Sequence, residues 1–276
     1  MAARCVRTRW FAIDRRHAKV RGMLLAQISD THLVAAGPRR TARLAALEMA
    51  LAYIVALSPR PEVIVHTGDL THNAKPEQYA LARALLAEIG VPLVAVPGNR
   101  DSRQLFLESV PLPVERDPEN AFVQYALDLG TIRILALDTL EEGRGLGGYC
   151  EARFAHLSRM LAEGDGRPTV VAMHHPPVAL QSVPGGVQFK SAQIAHRLTI
   201  ELARDPSVVA VLAGHVHRRM TAQIGRASLE TMPSLAVDLR KGVYPRGHDD
   251  RPILLLHDIT ATRVTTRTVA LDPISL

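Results

Sequence analysis

Residues 23–33 read MLLAQISDTHL: an apolar run, Met23–Ile28, that breaks into Ser29, Asp30, Thr31 and His32. Alternation of side chains along a strand sends Asp30 and His32, two positions apart, to the same side, where both could reach one metal. The same grammar recurs four times downstream. Val63–Val65 leads to Gly68-Asp69, Leu93–Val96 to Gly98-Asn99, Thr169–Met173 to His174-His175, and Val208–Leu212 to Gly214-His215-Val216-His217. Each motif alone is weak, since Asp-x-His arises by chance and Gly-Asp is common in turns. Five of them, each behind an apolar run, describe strands ending in Asp, Asn and His along one sheet edge. Carboxylate, imidazole and carboxamide together suit two adjacent first-row divalent ions. Asp69 is the candidate bridge, because a carboxylate can span two cations. Gly68 would let backbone approach a buried ion.

Between the clusters the chain alternates strand and helix. Helices are expected over Thr41–Leu57, Pro76–Ile89, Glu151–Leu161 and Ser191–Ala203; two further strands, Ala121–Leu127 and Ile132–Leu137, flank a turn at Asp128-Leu129-Gly130. Tyr79 and Ala80 are read as core-facing helix positions. The end of the chain is strand-rich: Met220–Ile224, Ala227–Met232, Pro252–Ile259 and Ala261–Ala270. Strand–helix units followed by strands alone suggest two sheets packed face to face with helices outside. In open α/β sheets ligands sit beyond the carboxyl ends of the strands, which is where the clusters fall.

The 276 residues are 47% hydrophobic, enough for one large core. The formal charge of +6 invites a nucleic-acid reading, but residues 1–22 carry all of it: seven Arg and Lys against Asp14. That basic extension is read as a disordered tail or an early start codon, and residues 23–276 as a single domain. No apolar segment follows the arginines to make a secretory signal, and no run of 18 apolar residues is present to span a bilayer. The only cysteines are Cys5 and Cys150, so a disulfide framework is excluded and a reducing, cytoplasmic setting is expected. No nucleic-acid or membrane partner is expected. Gly143–Gly148 is flexible and is no nucleotide fingerprint, because no helix start follows it.

In order and content the five clusters resemble the signature blocks of the calcineurin-like metallophosphoesterases. Ser29–Leu33, Thr67–Thr71 (Thr-Gly-Asp-Leu-Thr) and His174–Pro177 (His-His-Pro-Pro) are most similar to the class III cyclic-nucleotide phosphodiesterase branch. The resemblance implies an α/β, four-layer αββα sandwich of two mixed β-sheets flanked by helices. It implies one metal held by Asp30, His32, Asp69 and His217 and a second by Asp69, Asn99, His174 and His215, with manganese, iron or zinc as candidates. It also implies hydrolysis of small phosphodiesters, cyclic nucleotides among them, and by analogy a homodimer. Two ions about 3.5–4 Å apart can acidify a bridging water and hold the resulting hydroxide in line with phosphorus, so no protein nucleophile is required.

One position departs from that pattern. Relatives carry Gly-Asn-His-Asp at the third block, whereas this chain has Gly98-Asn99-Arg100-Asp101. A guanidinium cannot donate a proton at neutral pH, but it can fork onto phosphate oxygens and stabilise transition-state charge. The alternative for Arg100 is a surface arginine paired with Asp101. His72 is a candidate proton donor to the leaving group. The same Gly-Asn-Arg-Asp is similar to the lipid A pathway hydrolases that cleave UDP-diacylglucosamine. A nucleotide-sugar or lipid pyrophosphatase is therefore a competing reading, and a non-catalytic scaffold is another. Asp138 is a candidate to orient a ligating imidazole. His175 is expected to point away from its neighbour, His66 to pack in the core, and the loop Gln181–Phe189 either to cover substrate or simply to connect.

Overall fold

The computed structural model describes residues 22–114, 121–181 and 183–272. The basic extension, His17 and Cys5 lie outside them. Two sheets form the centre. In the first, β1 (Met23–Ile28), β2 (Val63–His66) and β3 (Leu93–Ala95) run parallel, with β10 (Ile253–Ile259) and β11 (Val264–Ala270) added antiparallel beside β1. In the second, β5 (Ile132–Ala136), β6 (Thr169–Ala172), β7 (Val208–Ala213) and β9 (Ala227–Thr231) are parallel. Their edges are the antiparallel β4 (Tyr125–Leu129) and β8 (Met220–Ile224).

Period-two alternation assigns each apolar side chain to a layer. Met23, Leu25, Val63 and Val65 meet Ile132, Ile134, Val170 and Leu212 between the sheets. The intervening Ala26, Ile28 and Ile64 face α1 (Arg40–Ala56) and α2 (Pro76–Leu86), while Leu135, Val171 and Val211 face α4 (Glu151–Ala162) and α5 (Ala192–Arg204). Both faces of the parallel strands are covered, which is why they read as nearly unbroken apolar runs. The result is the expected αββα sandwich. Gln27, fully buried on the inter-sheet face, ties the layers together. Its Nε2 donates to Thr67 Oγ1 at 3.1 Å and to the Ala213 carbonyl at 3.2 Å.

Four details differ from the sequence expectation. A short helix, α3 (Arg103–Ser109), follows the third cluster, its first turn capped by Ser102 Oγ accepting from Leu105 N at 3.4 Å. β4 starts at Tyr125 instead of Ala121, because Val123 N is drawn to Asp138 Oδ2 (3.0 Å), and the hairpin turns at Gly130-Thr131. β11 starts at Val264, since Thr260–Arg263 closes the turn before it. Ala80 is exposed, whereas Tyr79 is buried as expected. Among the described residues no helix is long and apolar enough to cross a membrane.

Candidate metal centre

The carboxyl ends of β1, β2, β3, β6 and β7 deliver the five clusters to one edge of the sandwich. The first two loops lie side by side: Asp30 N donates to Gly68 O (2.9 Å), His32 N to Asp69 O (2.9 Å) and Leu33 N to Leu70 O (3.0 Å). β1 has already ended at Ile28, and Asp30 and His32 adopt left-handed backbone with φ of 52° and 45°. Strand alternation is therefore not what brings them together; two left-handed residues do. Seven described residues other than glycine have positive φ, and five are predicted ligands: Asp30, His32, Asp69, His215 and His217. Such backbone is uncommon outside glycine and persists where surrounding contacts over-determine it, often at functional sites.

Glycines in the clusters permit the interlocking. A Cβ on Gly98 would lie 2.2 Å from Asp69 Oδ1 and 2.3 Å from Asp69 N. One on Gly68 would lie 2.5 Å from His174 Nδ1, so Gly68 makes room for the imidazole of a predicted ligand.

The side chains converge in two groups that share Asp69. In the first, Asp30 Oδ1 is 3.2 Å from His217 Nε2, and His32 Nε2 is 3.4 Å from Asp69 Oδ2 and 3.3 Å from His217 Nε2. In the second, His174 Nε2 is 3.5 Å from Asp69 Oδ1 and 3.1 Å from Asn99 Oδ1, while His215 Nδ1 is 3.0 Å from that same Asn99 oxygen. All seven predicted ligands meet here. His175 joins them, contrary to expectation. β6 ends at Ala172, so alternation no longer governs its direction, and its ring centroid lies 4.4 Å from that of His215. Its Nδ1 is 2.9 Å from Thr139 Oγ1, and its buried Nε2 has no hydrogen-bond partner among the described residues.

The outer ring nitrogens show what this arrangement fits. His174 Nδ1 is 2.8 Å from the Thr67 carbonyl, and His217 Nδ1 is 3.0 Å from the Leu239 carbonyl. A carbonyl only accepts, so each Nδ1 carries a proton, and in the neutral ring each Nε2 turns a lone pair inward. Those lone pairs face carboxylate and carboxamide oxygens that also only accept. Buried acceptors aimed at one another fit a cation between them, and the nitrogen–oxygen donor set suits a first-row divalent ion. Burial and the nearby Asp30 carboxylate push Asp69 well above the usual carboxylate range. For Asp30 burial also pushes upward, but His217 in its protonated form, together with His174 and His32, outweighs it and the net displacement is downward. Burial pushes His215 down to about 3.

Two proposed catalytic residues flank the groups differently. Half-buried His72 places Nδ1 3.4 Å from His32 Nδ1, so it backs a predicted ligand. Arg100 is exposed, and its backbone N donates to Asp69 Oδ1 at 2.7 Å. Its pairing with Asp101 is not observed. The Asp101 carboxylate is buried, accepting from Leu70 N, Thr71 N, Gly98 N and the Tyr79 hydroxyl at 2.9–3.1 Å. Asp138 does not orient an imidazole either. It is taken by Arg103 (2.7 Å) and by Leu140 N, and its neighbour Thr139 meets His175 instead. His66 packs as expected, burial holding it at about 4.

Sequence reasoning missed Arg43, whose Nη1 donates to the His32 carbonyl at 2.9 Å while Nε and Nη2 hold Asp238. It also missed Gln188, whose Oε1 lies 3.1 Å from His215 Nε2. The loop Gln181–Phe189 stands out in the sequence, but nothing in it distinguishes this side chain.

The chain is 33% identical over 220 residues to the glycerophosphodiester phosphodiesterase GpdQ of Enterobacter lignolyticus, covering 77% of each protein. It is 30% identical over 230 residues to the 3′,5′-cyclic adenosine monophosphate phosphodiesterase CpdA of Pseudomonas aeruginosa, covering 80% of this chain and 79% of that one. In fold it is similar to a dimetal phosphatase from Danio rerio, with a TM-score of 0.66 at 15% identity over 91% of this chain and 99% of that one. Residues 23–219 match the calcineurin-like phosphoesterase family, and the chain belongs to it.

Proposed function

We propose that the chain is a phosphodiesterase dependent on two divalent ions, acting on small diesters such as glycerophosphodiesters or cyclic nucleotides. The observation that carries the reading is Asp69: one oxygen faces His32 and the other faces His174, so a single buried carboxylate belongs to both groups. Asp30, His32, Asp69 and His217 would hold one ion; Asp69, Asn99, His174 and His215 would hold the other. Manganese, iron or zinc suits these donors. Bound there, the ions supply Lewis acidity, offsetting charge on the phosphoryl oxygens and acidifying water. The relatives' named activities support a diester substrate. Two cysteines in 276 residues support a reducing, cytoplasmic setting.

The protein's own groups have three tasks. The outer carbonyls of Thr67 and Leu239 keep His174 and His217 in the tautomer that turns Nε2 inward. Arg100, anchored through its backbone to Asp69 and exposed beyond it, has the reach and charge to grip a phosphoryl oxygen. His72 donates no proton to a leaving group in this reading; it accepts from His32 Nδ1–H and orients that ring. Protonation of the leaving alkoxide falls to solvent.

A substrate panel tests the reading. Glycerophosphocholine, cyclic AMP, bis(4-nitrophenyl) phosphate, a monoester and a UDP-sugar are offered to metal-loaded protein, with and without chelator. Chelator-sensitive turnover of the diesters is expected. Preferential cleavage of the UDP-sugar would move the chain to the pyrophosphatases, and two bound ions with no turnover of any diester would overturn the proposal.

A further inference from the structure

His215 differs from the other predicted histidine ligands in how its outer nitrogen is held. His174 and His217 lean on main-chain carbonyls, and His32 on His72. His215 leans on a carboxamide from a distant loop. We propose that Gln188 is a positioning residue that fixes the proton of His215 on Nε2, so that Nδ1 is the donor atom offered to the second group. The proposal rests on the two-ion reading above.

The orientation of the Gln188 carboxamide is settled by its other partners. Its Nε2 donates to the Gly186 carbonyl at 2.9 Å and to the Pro184 carbonyl at 3.3 Å, so Oε1 is the atom left to face His215 Nε2 at 3.1 Å. That oxygen can only accept, so His215 must carry its proton on Nε2. Nδ1 is then a lone pair, 3.0 Å from Asn99 Oδ1 and inside the second group. A flipped tautomer would close that donor.

The loop that carries Gln188 is itself gripped. Gly147 N donates to the Gln188 carbonyl at 3.0 Å, Lys190 N donates to the Gly147 carbonyl at 2.9 Å, and Lys190 Nζ is 2.7 Å from Glu141. The glycine-rich stretch 143–148 thus has a use. A Cβ on Gly147 would lie 2.9 Å from His175 Cγ, so that glycine lets the two loops close over the imidazoles and seat Gln188 against His215. Gln188 is buried, which keeps water from substituting for its oxygen. Loss of such outer partners costs about 10–100-fold in metal affinity.

The test compares full-length wild type with Gln188→Met, which keeps length but removes the acceptor, and Gln188→Glu, which keeps an acceptor. Binding of Mn²⁺ and Zn²⁺ is followed by titration. Gln188→Met is expected to weaken one of the two ions about 10–100-fold and leave the other unchanged, with Gln188→Glu within a few-fold of wild type. Histidine ¹⁵N spectra of the metal-free protein, with the His215 signals assigned by their loss in His215→Asn, should show Nε2–H in wild type and loss of that fixed tautomer in Gln188→Met. Wild-type ion binding by Gln188→Met, equal losses in Gln188→Met and Gln188→Glu, or an Nδ1–H tautomer in wild type would each overturn the proposal. Should Gln188→Met fail to fold, Gln188→Glu and the wild-type spectrum still decide it. Fewer than two ions in wild type would instead strike the two-ion reading, while the metal-free spectra would still report on Gln188.

Discussion

Asp30, His32, Asp69 and His217 all sit on left-handed backbone, whereas in the second group, among the residues other than the shared Asp69, only His215 does. The first group is shaped by main chain: paired loops, strained φ angles and the Leu239 carbonyl. The second depends more on side chains reaching in from elsewhere, Asn99 from the turn after β3 and Gln188 from the loop before α5. Charge separates them too. Two carboxylates belong to the first group, while the second has only the shared Asp69 and a neutral carboxamide. Coulomb attraction in a buried site therefore ranks the first group above the second for a divalent cation. Rigidity and charge favour the same side.

Removing the shared residue should erase the distinction. Asp69→Ala takes a carboxylate from both groups, and the expected loss in kcat/KM on a phosphodiester is about 10²–10³-fold or more, the size seen when a charge-stabilising group is deleted. The bound-metal count should fall below two per chain by mass spectrometry. Near-normal turnover with two ions retained would mean that the groups are independent.

Gly98→Ala probes the seam between them. The added methyl would press on Asp69 Oδ1 and on Asp69 N, and the latter is main chain held by neighbouring loops. Overpacking of this kind costs about 1–3 kcal/mol. The urea midpoint should fall accordingly, and weakening of the second ion should precede that of the first. An unchanged midpoint would show that the turn carrying Asn99 yields freely.

The ligand clusters were legible because each is a short contiguous run behind an apolar strand, and the strands could be placed by their period of two. The geometry was legible only in part. Asp30 and His32 were paired by strand alternation, yet they meet because the chain has left β1 and turned left-handed, a conformation no residue type here announces. His175 was turned away by the same misapplied rule. Outer partners such as the carbonyls of Thr67 and Leu239 carry no side-chain signature at all. α3 escaped because only Phe106 of its seven residues is buried, leaving no periodicity to count. Arg100 was identified from its departure from the family pattern. Its separation from Asp101 was not, because the inward turn of Asp101 depends on donors from three separate segments.

Arg100 borders both groups and belongs to neither, so its replacement should separate ion binding from turnover. Arg100→Ala is expected to lower kcat on phosphodiesters more than tenfold while two ions remain bound. Arg100→His, which restores the relatives' residue, should favour poorer leaving groups. Unchanged kcat in Arg100→Ala would remove the residue from the phosphoryl contact.

A buried histidine outside both groups sets the baseline for acid sensitivity. His257 on β10 is fully buried, its Nε2 3.0 Å from Gln27 Oε1, and burial with the nearby Arg219 charge holds it at about 3 against 6.5 for a free side chain. Between those values the unfolded chain binds a proton that the folded chain refuses. Stability from this residue is therefore complete above pH 6.5 and is lost as pH falls toward 3, with a slope of up to about 1.4 kcal/mol per pH unit. His257→Gln in excess chelator should lower the urea midpoint at pH 7 yet flatten its decline between pH 6.5 and 4. With chelator present neither group holds an ion, so the slope that remains in the variant belongs to the other displaced groups, among them the site histidines, His66 and the buried carboxyls of Asp69 and Asp101. If the variant's decline is as steep as wild type, His257 titrates freely in the folded protein, and the acid response arises from the other displaced groups.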